Sequence, residues 1–128
     1  MRRGEVYDAR LEPTEGSEQG GTRPIIIVSR DVINAASPVI LAVPCTTYRS
    51  SKRIYPTQVL LQPPEGGLTH DSLAMTDQIR VLSKSRLLRL RGTLSAVAIA
   101  QLNRSLLIAL DLPGQDDEIL LDINASPD

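Results

Sequence analysis

The residues of this 128-residue chain best suited to chemistry are an arginine and a threonine, each at the end of a predicted core strand. Arg23 follows a Gly-rich polar loop, residues 13–22, and precedes Pro24 and the apolar run 25–28. Pro24 favours extended geometry at Arg23, and four consecutive apolar residues predict a strand that is buried on both faces. We therefore expect a fixed cation beneath a loop whose glycines allow it to move. The alternative is a solvated arginine in a hairpin loop.

The threonine is Thr46, which lies in the segment 44–47 after a second apolar run at 39–43. A threonine hydroxyl at a strand end can donate one hydrogen bond to a phosphoryl oxygen, and the planar, permanently charged guanidinium of Arg23 fits a phosphate. These groups do not support redox or acyl chemistry. They suit phosphoryl transfer, which depends largely on positioning and on stabilising charge. RNA carries its own nucleophile, the 2′-hydroxyl, so a site of this kind needs no metal.

The sequence contains few residues that suit other kinds of catalytic site. Its one histidine, His70, follows a predicted turn and is interpreted as a solvated loop residue rather than a base. No group of ligands has the spacing of a zinc site, and neither a Walker motif nor a GxGxxG motif is present. Cys45 is interpreted as a small core residue rather than a nucleophile. No cofactor or metal is therefore expected.

The composition predicts one domain with an aliphatic core. The chain is 41% hydrophobic but has no Trp and no Phe, and its length suits a single core. Its single cysteine cannot form an internal disulfide and suits a reducing compartment. No signal peptide and no apolar stretch long enough to cross a membrane is recognisable. We expect a cytoplasmic protein that does not bind membranes.

The net charge of −1 hides an uneven charge distribution. Residues 1–110 contain all 14 Lys and Arg with 9 acids, a net charge of +5. Residues 111–128 contain the other 6 acids and no base, a net charge of −6. A basic body suits a phosphate-rich partner, although ordinary solvated charge is the alternative.

The pattern of apolar residues and turn signals predicts a small antiparallel β-barrel followed by a helix. Pro44 cannot donate to a strand ladder, so it marks a bulge or a strand edge. Ser95 is the expected N-cap of a helix over 96–110, which ends before a Leu-Pro-Gly segment. The connection 30–38 and the segment 83–90 are each expected to contain a short helical turn. The predicted strands are residues 4–11, 24–29, 39–43, 57–61, 72–76 and 78–82.

Four segments together resemble the MazF/PemK family of toxin endoribonucleases. The loop 16–24, Gly-Ser-Glu-Gln-Gly-Gly-Thr-Arg-Pro, is similar to the family's signature loop. The segments 43–47, Val-Pro-Cys-Thr-Thr, and 71–80, which begins Asp-Ser-Leu-Ala, are similar to its second and third signatures, and the opening segment 3–7 fits as well. The motifs occur in family order, and the resemblance covers about residues 3–111.

The resemblance implies a mainly β fold with α: an SH3-like barrel of the CcdB/MazF/PemK type over residues 1–111, with a C-terminal helix, that works as a homodimer. It implies sequence-specific, metal-independent cleavage of single-stranded mRNA, which gives 2′,3′-cyclic phosphate and 5′-hydroxyl ends and inhibits translation and growth. The family's catalytic residues fall on Arg23 and Thr46, with Glu18 in the loop either orienting Arg23 or accepting a proton. The resemblance implies that Arg23 handles the proton transfers and binds the phosphate, while Thr46 stabilises the developing charge. Because an arginine of ordinary pKa is a poor base, we favour the electrostatic role of Arg23 over its proton-transfer role.

The resemblance also predicts which residues contact RNA. Single strands are recognised by base stacking and by hydrogen bonds to base edges. For each candidate, plain surface charge or polarity is the alternative. The candidates are Gln19, Thr47, Tyr48, Arg49, Lys52, Arg53, Gln78 and Arg80.

The implied protein partner is a cognate MazE-like antitoxin, whose acidic tail with interspersed apolar residues occupies the groove at the dimer interface. Residues 112–128 of this chain extend beyond the usual family end and have the composition of such a tail. We hypothesise that this acidic tail competes for the protein's own RNA groove; an extension without this role is the alternative.

Two other functions stay open for a barrel of this type. One is a CcdB-type gyrase poison, which acts through an apolar and aromatic C-terminal end. Because residues 124–128 are Asn-Ala-Ser-Pro-Asp and Trp is absent, this function ranks below the ribonuclease. The other is an RNA-binding barrel that lacks catalysis.

Overall fold

The computed structural model describes residues 1–11 and 21–114. The fold is mainly β with a C-terminal helix, as predicted, and short 3₁₀ turns connect several of the strands. Helix α1 is Asp31–Ala36 and helix α2 is Ala96–Ala109. The strands are β1 (Glu5–Arg10), β2 (Thr22–Ile27), β3 (Val39–Thr47), β4 (Gln58–Leu61), β5 (Ser72–Met75), β6 (Arg80–Ser83) and β7 (Leu87–Thr93), and the 3₁₀ turns are Glu65–Gly67, Thr76–Gln78 and Lys84–Arg86.

The seven strands form one antiparallel sheet in the order β4-β5-β3-β2-β1-β7, with β6 paired to β3 beside β5. Within residues 1–11 and 21–114, no ladder joins β4 to β7, so the predicted barrel is open between these two strands. All pairings are antiparallel. Short 3₁₀ turns connect β5 to β6 and β6 to β7.

Strand β2 lies inside the sheet and is buried on both faces, as its run of four apolar residues predicts. Ile26 and Val28 pack into a core cluster that includes residues of α2, whereas Ile25 and Ile27 pack into a second cluster with residues of β1, β3 and β6. The three isoleucines are fully buried. Each buried side chain of this size contributes about 1.5–3 kcal/mol, so both core clusters depend on β2.

Strand β3 changes partner along one of its edges, and Pro44 lies at that change. Its residues 39–42 pair with β6, and its residues 45–47 pair with β5. On the opposite edge, Pro44 faces Ile25 of β2. Proline has no N–H to donate, so it suits the short step between two ladders. The predicted strand end at Pro44 is therefore a junction inside a longer strand.

Helix α2 begins and packs as the sequence predicts. The Ser95 hydroxyl accepts a hydrogen bond from the Ala98 N–H at 3.2 Å. The Ser95 N–H and hydroxyl donate to the Glu65 carboxylate at 2.5 and 2.9 Å. In the middle of the helix, the buried Ser105 hydroxyl donates to the Pro56 carbonyl at 2.9 Å. Neither helix in the described part of the chain is long and apolar enough to cross a bilayer.

Strand β7 is the element that sequence reasoning missed. The expected helical turn in 83–90 exists only as Lys84–Arg86, and the chain then extends and pairs with β1. The segment is rich in Leu and Arg, which are good helix formers. It lies at the end of the strand order, and two register shifts interrupt its pairing. Pairing with β1, distant in sequence, overrides the local preference.

Candidate active site

The register of the central strands brings the two predicted chemical residues together. Strand β2 pairs with β3 so that Ile25 faces Pro44 and Ile26 faces Val43. Extending this register by two residues sets Arg23 across from Thr46. Both residues line one pocket of about 250 Å³, here called the Arg23 pocket. Its full lining is Thr22, Arg23, Pro24, Cys45, Thr46, Thr47, Leu68, Thr69, His70, Ser72 and Arg91.

The backbone of both residues is held by strand pairing. Arg23 lies next to the first residue of β2 and pairs with Ala9 of β1, while Thr46 pairs with Leu73 of β5. Both side chains are half-buried. A guanidinium and a hydroxyl therefore face the same cavity from two strands whose relative position is fixed by the sheet. The arrangement suits binding of an anion such as a phosphodiester.

A second guanidinium, that of Arg91 on β7, also lines the pocket, and sequence reasoning did not find it. Its Nη1 donates to Asp8 Oδ1 at 3.1 Å, its Nη2 to Thr69 Oγ1 at 3.3 Å and its Nε to the Gly67 carbonyl at 3.4 Å. The side chain is only 14% exposed. Arg91 is thus fixed in a partly buried position. Because Asp8 lies 83 residues away in sequence, no local sequence pattern predicts the ion pair between Asp8 and Arg91.

The turn Glu65–Gly67 positions the pocket wall that contacts Arg91. Gly67 has a φ of +71°, a conformation that favours glycine. A Cβ at this position would collide with the Arg91 carbonyl oxygen. The turn therefore packs directly against β7, and the residues that follow it, 68–70, enter the lining of the pocket.

His70 is exposed, as interpreted from the sequence, but it also lines the pocket. Its Nδ1 lies 3.1 Å from Thr69 Oγ1. The Thr69 oxygen accepts from Arg91, so the Thr69 hydroxyl proton can be donated to Nδ1 of a neutral imidazole. Asp8, Arg91, Thr69 and His70 thus form one hydrogen-bonded chain along the pocket wall.

Cys45 is fully buried, which confirms its interpretation as a core residue. Burial raises the pKa of the Cys45 thiol to about 12. The thiol is therefore protonated at neutral pH, and the thiolate that a nucleophilic role requires is scarce.

Two of the predicted RNA contacts lie at or next to the Arg23 pocket. Thr47 is exposed and lines it. Tyr48 comes next in the chain; its N–H donates to the Asp71 carbonyl at 2.8 Å, and its hydroxyl donates to the Lys52 carbonyl at 3.4 Å. The backbone of half-buried Tyr48 is therefore held by the residue before β5, and its hydroxyl is held by the loop that follows it.

The other predicted RNA contacts that can be placed are outside the pocket lining. Arg49, Lys52 and Arg53 are exposed in the segment after β3, and the Arg53 guanidinium lies 5.3 Å from the ring centroid of Tyr55. Half-buried Gln78 and Arg80 lie near the start of β6, where Arg80 Nη1 donates to the Leu11 carbonyl at 3.4 Å. Glu18 and Gln19, like the tail residues 115–128, are outside the described residues.

The described part of the chain contains no cluster of three or more His, Cys, Asp or Glu that would hold a metal ion. The Arg23 pocket instead combines two guanidinium groups with the hydroxyls of Thr22, Thr46 and Thr69. Such a set of donors binds and stabilises negative charge by hydrogen bonding.

The family model described as "PemK-like, MazF-like toxin of type II toxin-antitoxin system" matches residues 2–110. Endoribonuclease MazF9 of Mycobacterium tuberculosis (strain ATCC 25618 / H37Rv) is 42% identical over 117 residues, which cover 88% of this chain and 98% of that protein. Endoribonuclease MazF of Staphylococcus saprophyticus subsp. saprophyticus is 40% identical over 112 residues, which cover 88% of this chain and 92% of that protein.

A solved structure gives the same assignment from the fold. An endoribonuclease in complex with its cognate antitoxin, from a mycobacterial species, matches with a TM-score of 0.73 and 31% identity, covering 88% of this chain and 97% of that one. The family match spans every described strand and both helices. The chain therefore belongs to the family of PemK-like, MazF-like toxins of type II toxin-antitoxin systems.

Proposed function

We propose that this chain is the toxin of a type II toxin-antitoxin system and cleaves single-stranded mRNA at a short sequence, which inhibits translation and growth. The observation that carries the proposal is that Arg23 and Thr46 line one pocket. Two relatives that are 42% and 40% identical are endoribonucleases. This favours the ribonuclease over a gyrase poison and over an RNA-binding barrel without catalysis.

In the proposed reaction, the 2′-oxygen of the RNA attacks the adjacent phosphorus and the bond from phosphorus to the 5′-oxygen breaks. The products are a 2′,3′-cyclic phosphate and a 5′-hydroxyl. The 2′-hydroxyl loses its proton and the departing 5′-oxygen gains one, so the step is balanced without oxidant or metal. Arg23 and Thr46 donate hydrogen bonds to the non-bridging phosphoryl oxygens, where negative charge accumulates.

Proton transfer in this reaction requires a group besides those that stabilise the phosphate charge. Because an arginine side chain is a poor general base, we propose an electrostatic role for Arg23. Glu18, in the loop before Arg23, is the proposed group that either accepts the 2′-hydroxyl proton or orients the guanidinium. A variant with Glu18→Gln separates these two roles, because glutamine retains the hydrogen-bonding capacity and loses the basic carboxylate.

The bound RNA runs from the Arg23 pocket toward the segment after β3. Thr47 lines the pocket and Tyr48 follows it, which supports their proposed contact with a base. The exposed cations Arg49, Lys52 and Arg53 follow in the same segment. Stacking and cationic contacts of this kind bind single strands. Gln19, Gln78 and Arg80 complete the proposed set of RNA contacts.

We also propose that the protein is a homodimer. Leu41 of β3 pairs with Val81 of β6, and these side chains are 37% and 60% exposed. Leu41, Leu110 and Leu112 also line an open groove of about 450 Å³ at the end of α2, here called the apolar groove. Neighbouring exposed apolar side chains of this kind commonly mark protein interfaces. A second copy would bury this face.

The proposed protein partner is a cognate antitoxin. The solved relative in complex with its own antitoxin supports this assignment. An antitoxin segment that combines acidic and apolar residues would suit both the basic body of this chain, which carries a net charge of +5 over residues 1–110, and its exposed apolar face. We place the action of the toxin in the cytoplasm, where mRNA is translated.

The experiment that tests the proposed function is incubation of the purified protein with a long single-stranded RNA in EDTA, followed by mapping of both new ends. We expect cuts at a short common sequence with a cyclic phosphate on one side and a 5′-hydroxyl on the other. Arg23→Ala provides the inactive control. Intact RNA with a folded protein would contradict the proposal, and cleavage only after a divalent metal is added would contradict the metal-free reaction.

A further inference from the structure

We propose that Arg91 is a second cation that binds the RNA backbone in the Arg23 pocket, and that Asp8 is its positioning residue. The inference deepens the proposed function and rests on it for the identity of the ligand. The observation behind it is that a guanidinium fixed by a carboxylate lines the same cavity as Arg23 and Thr46.

The hydrogen bonds of Arg91 fix its plane and still leave donors for a ligand. Among the described residues, each of its three nitrogens makes one hydrogen bond, to Asp8, Thr69 and Gly67. A guanidinium has five N–H donors, so each terminal nitrogen retains a second N–H. A phosphate that enters the pocket can accept from these two donors without displacing the bonds that hold the side chain.

The charge balance also favours an anionic ligand. Asp8 contacts two guanidinium groups, those of Arg91 at 3.1 Å and Arg89 at 3.3 Å. One carboxylate therefore faces two positive charges. The Arg89 side chain is 69% exposed and is screened by solvent, whereas Arg91 is 14% exposed and faces the cavity. With Arg23, the pocket contains two guanidinium groups from two separate strands.

A purely structural role for Arg91 would be a cross-strand ion pair between β1 and β7. Arg89 already provides one, since it lies directly across from Asp8 in the ladder and also contacts its carboxylate. Arg89 is not among the residues that line the pocket. The two arginines thus share the same partner and the same strand but differ in access to the pocket, which makes Arg89 the matched control.

The test measures RNA binding without cleavage. The probe is a single-stranded RNA of mixed sequence with 2′-O-methyl groups at every position, which cannot supply the nucleophile. Its dissociation constant is measured against salt concentration for the wild type, Arg91→Met, Arg91→Lys and Arg89→Met. Loss of one phosphate contact reduces the slope of log Kd against log salt by about 0.7 for a single strand. We expect this reduction in Arg91→Met only, and the wild-type slope in Arg91→Lys and Arg89→Met.

The second readout is cleavage of unmodified RNA. We expect kcat/KM to fall about 100-fold in Arg91→Met, as for loss of one charge-stabilising donor. Asp8→Asn retains the Arg91 charge but removes the carboxylate that orients its guanidinium, so the salt slope should remain while kcat falls. Asp8→Glu restores a carboxylate and should restore part of kcat. Circular dichroism confirms that each variant is folded.

Equal salt slopes for wild type and Arg91→Met, or equal losses in Arg91→Met and Arg89→Met, would overturn the inference. If Arg91→Met does not fold, the Arg91→Lys variant provides the test. A wild-type kcat in Arg91→Lys would show that the reaction does not use the planar guanidinium, and it would likewise overturn the inference. Failure of the proposed function looks different, because the wild type would then leave unmodified RNA intact whatever the slopes are.

Discussion

The two ends of strand β3 contribute to two cavities of different chemical character. At its carboxyl end, Thr46 contributes to the Arg23 pocket, which is lined by guanidinium and hydroxyl groups. Near its amino end, Leu41 contributes to the apolar groove, which is lined mostly by Leu, Ile and Val. Leu41 and Thr46 lie five positions apart on one strand, so β3 connects the proposed anion site to the proposed interface with another protein chain. The sheet can keep the two sites apart because the four β3 residues between them, 42–45, are all buried.

The charged side chains of the apolar groove and the Arg23 pocket differ in their position relative to the cavity. In the apolar groove, Arg3 donates to the Val28 carbonyl at 2.9 Å and to Asn103 Oδ1 at 2.7 Å, so its charge lies at the edge of a nonpolar surface. In the Arg23 pocket, two arginines, Arg23 and Arg91, line the cavity itself. The comparison predicts that substitutions in the pocket change the chemical step, whereas substitutions in the groove change association.

The largest effect is expected at Arg23. Arg23→Ala should lower kcat for RNA cleavage by about 1000-fold, the upper range for removal of one donor to a developing negative charge. The measurement is single-turnover cleavage of a short RNA that contains the mapped site. Unfolding temperature and oligomeric state should match the wild type. A kcat within threefold of the wild type would contradict the assignment of the pocket.

The next effect is expected at Thr46. Thr46→Val keeps the shape of the side chain and removes the hydroxyl, so kcat should fall by about 100-fold, as for one neutral donor in a charge-stabilising site. Thr93→Val, at the exposed end of β7 and outside the pocket lining, is the control and should cleave like the wild type. Similar rates for the two variants would show that the Thr46 hydroxyl does not contact the reacting phosphate.

Substitution in the apolar groove should affect association instead. Leu41→Ala removes about 1 kcal/mol of apolar burial from each copy, so the dimer dissociation constant should rise about 30-fold. Sedimentation velocity over a concentration series measures it. Leu88→Ala, at a leucine that is 54% exposed on β7 and outside the groove, should leave the dimer intact. A dissociation constant unchanged in Leu41→Ala would place the interface elsewhere.

The smallest effect tests the hypothesis for the acidic tail. If residues 115–128 compete with RNA, their deletion should tighten RNA binding by about two- to fivefold at low salt, and the gain should shrink as salt screens the attraction. Binding of the 2′-O-methylated RNA to the full chain and to the truncated chain gives the comparison. Equal binding at all salt concentrations would show that the tail does not compete.

Much of the fold could be predicted because its signals are local. The apolar run 25–28 predicts a strand buried on both faces, and Ser95 predicts the start of α2; both predictions are confirmed. Strand β7 was missed because its signal is not local. Its Leu and Arg residues favour a helix, and only pairing with β1 makes the segment extended.

The candidate site likewise contains residues that the sequence predicts and one that it does not. Arg23 and Thr46 stand out because each follows a loop or ends a strand in a recognisable motif, and the register of β2 and β3 places both at one pocket. Arg91 was not predicted, since its position depends on Asp8, which is 83 residues earlier, and on a turn whose Gly67 packs against β7. The chemical roles of Arg23, Thr46 and Glu18 stay predictions until the variants are measured.

The buried position of Cys45 has a consequence for how the toxin tolerates oxidants. Peroxides and alkylating agents attack the thiolate, and the only sulfhydryl in the sequence is kept protonated and buried although it adjoins the Arg23 pocket. Because the proposed catalytic residues, Arg23 and Thr46, are not thiols and Cys45 is buried, we expect RNA cleavage to persist at oxidant concentrations that inactivate enzymes with exposed thiolates.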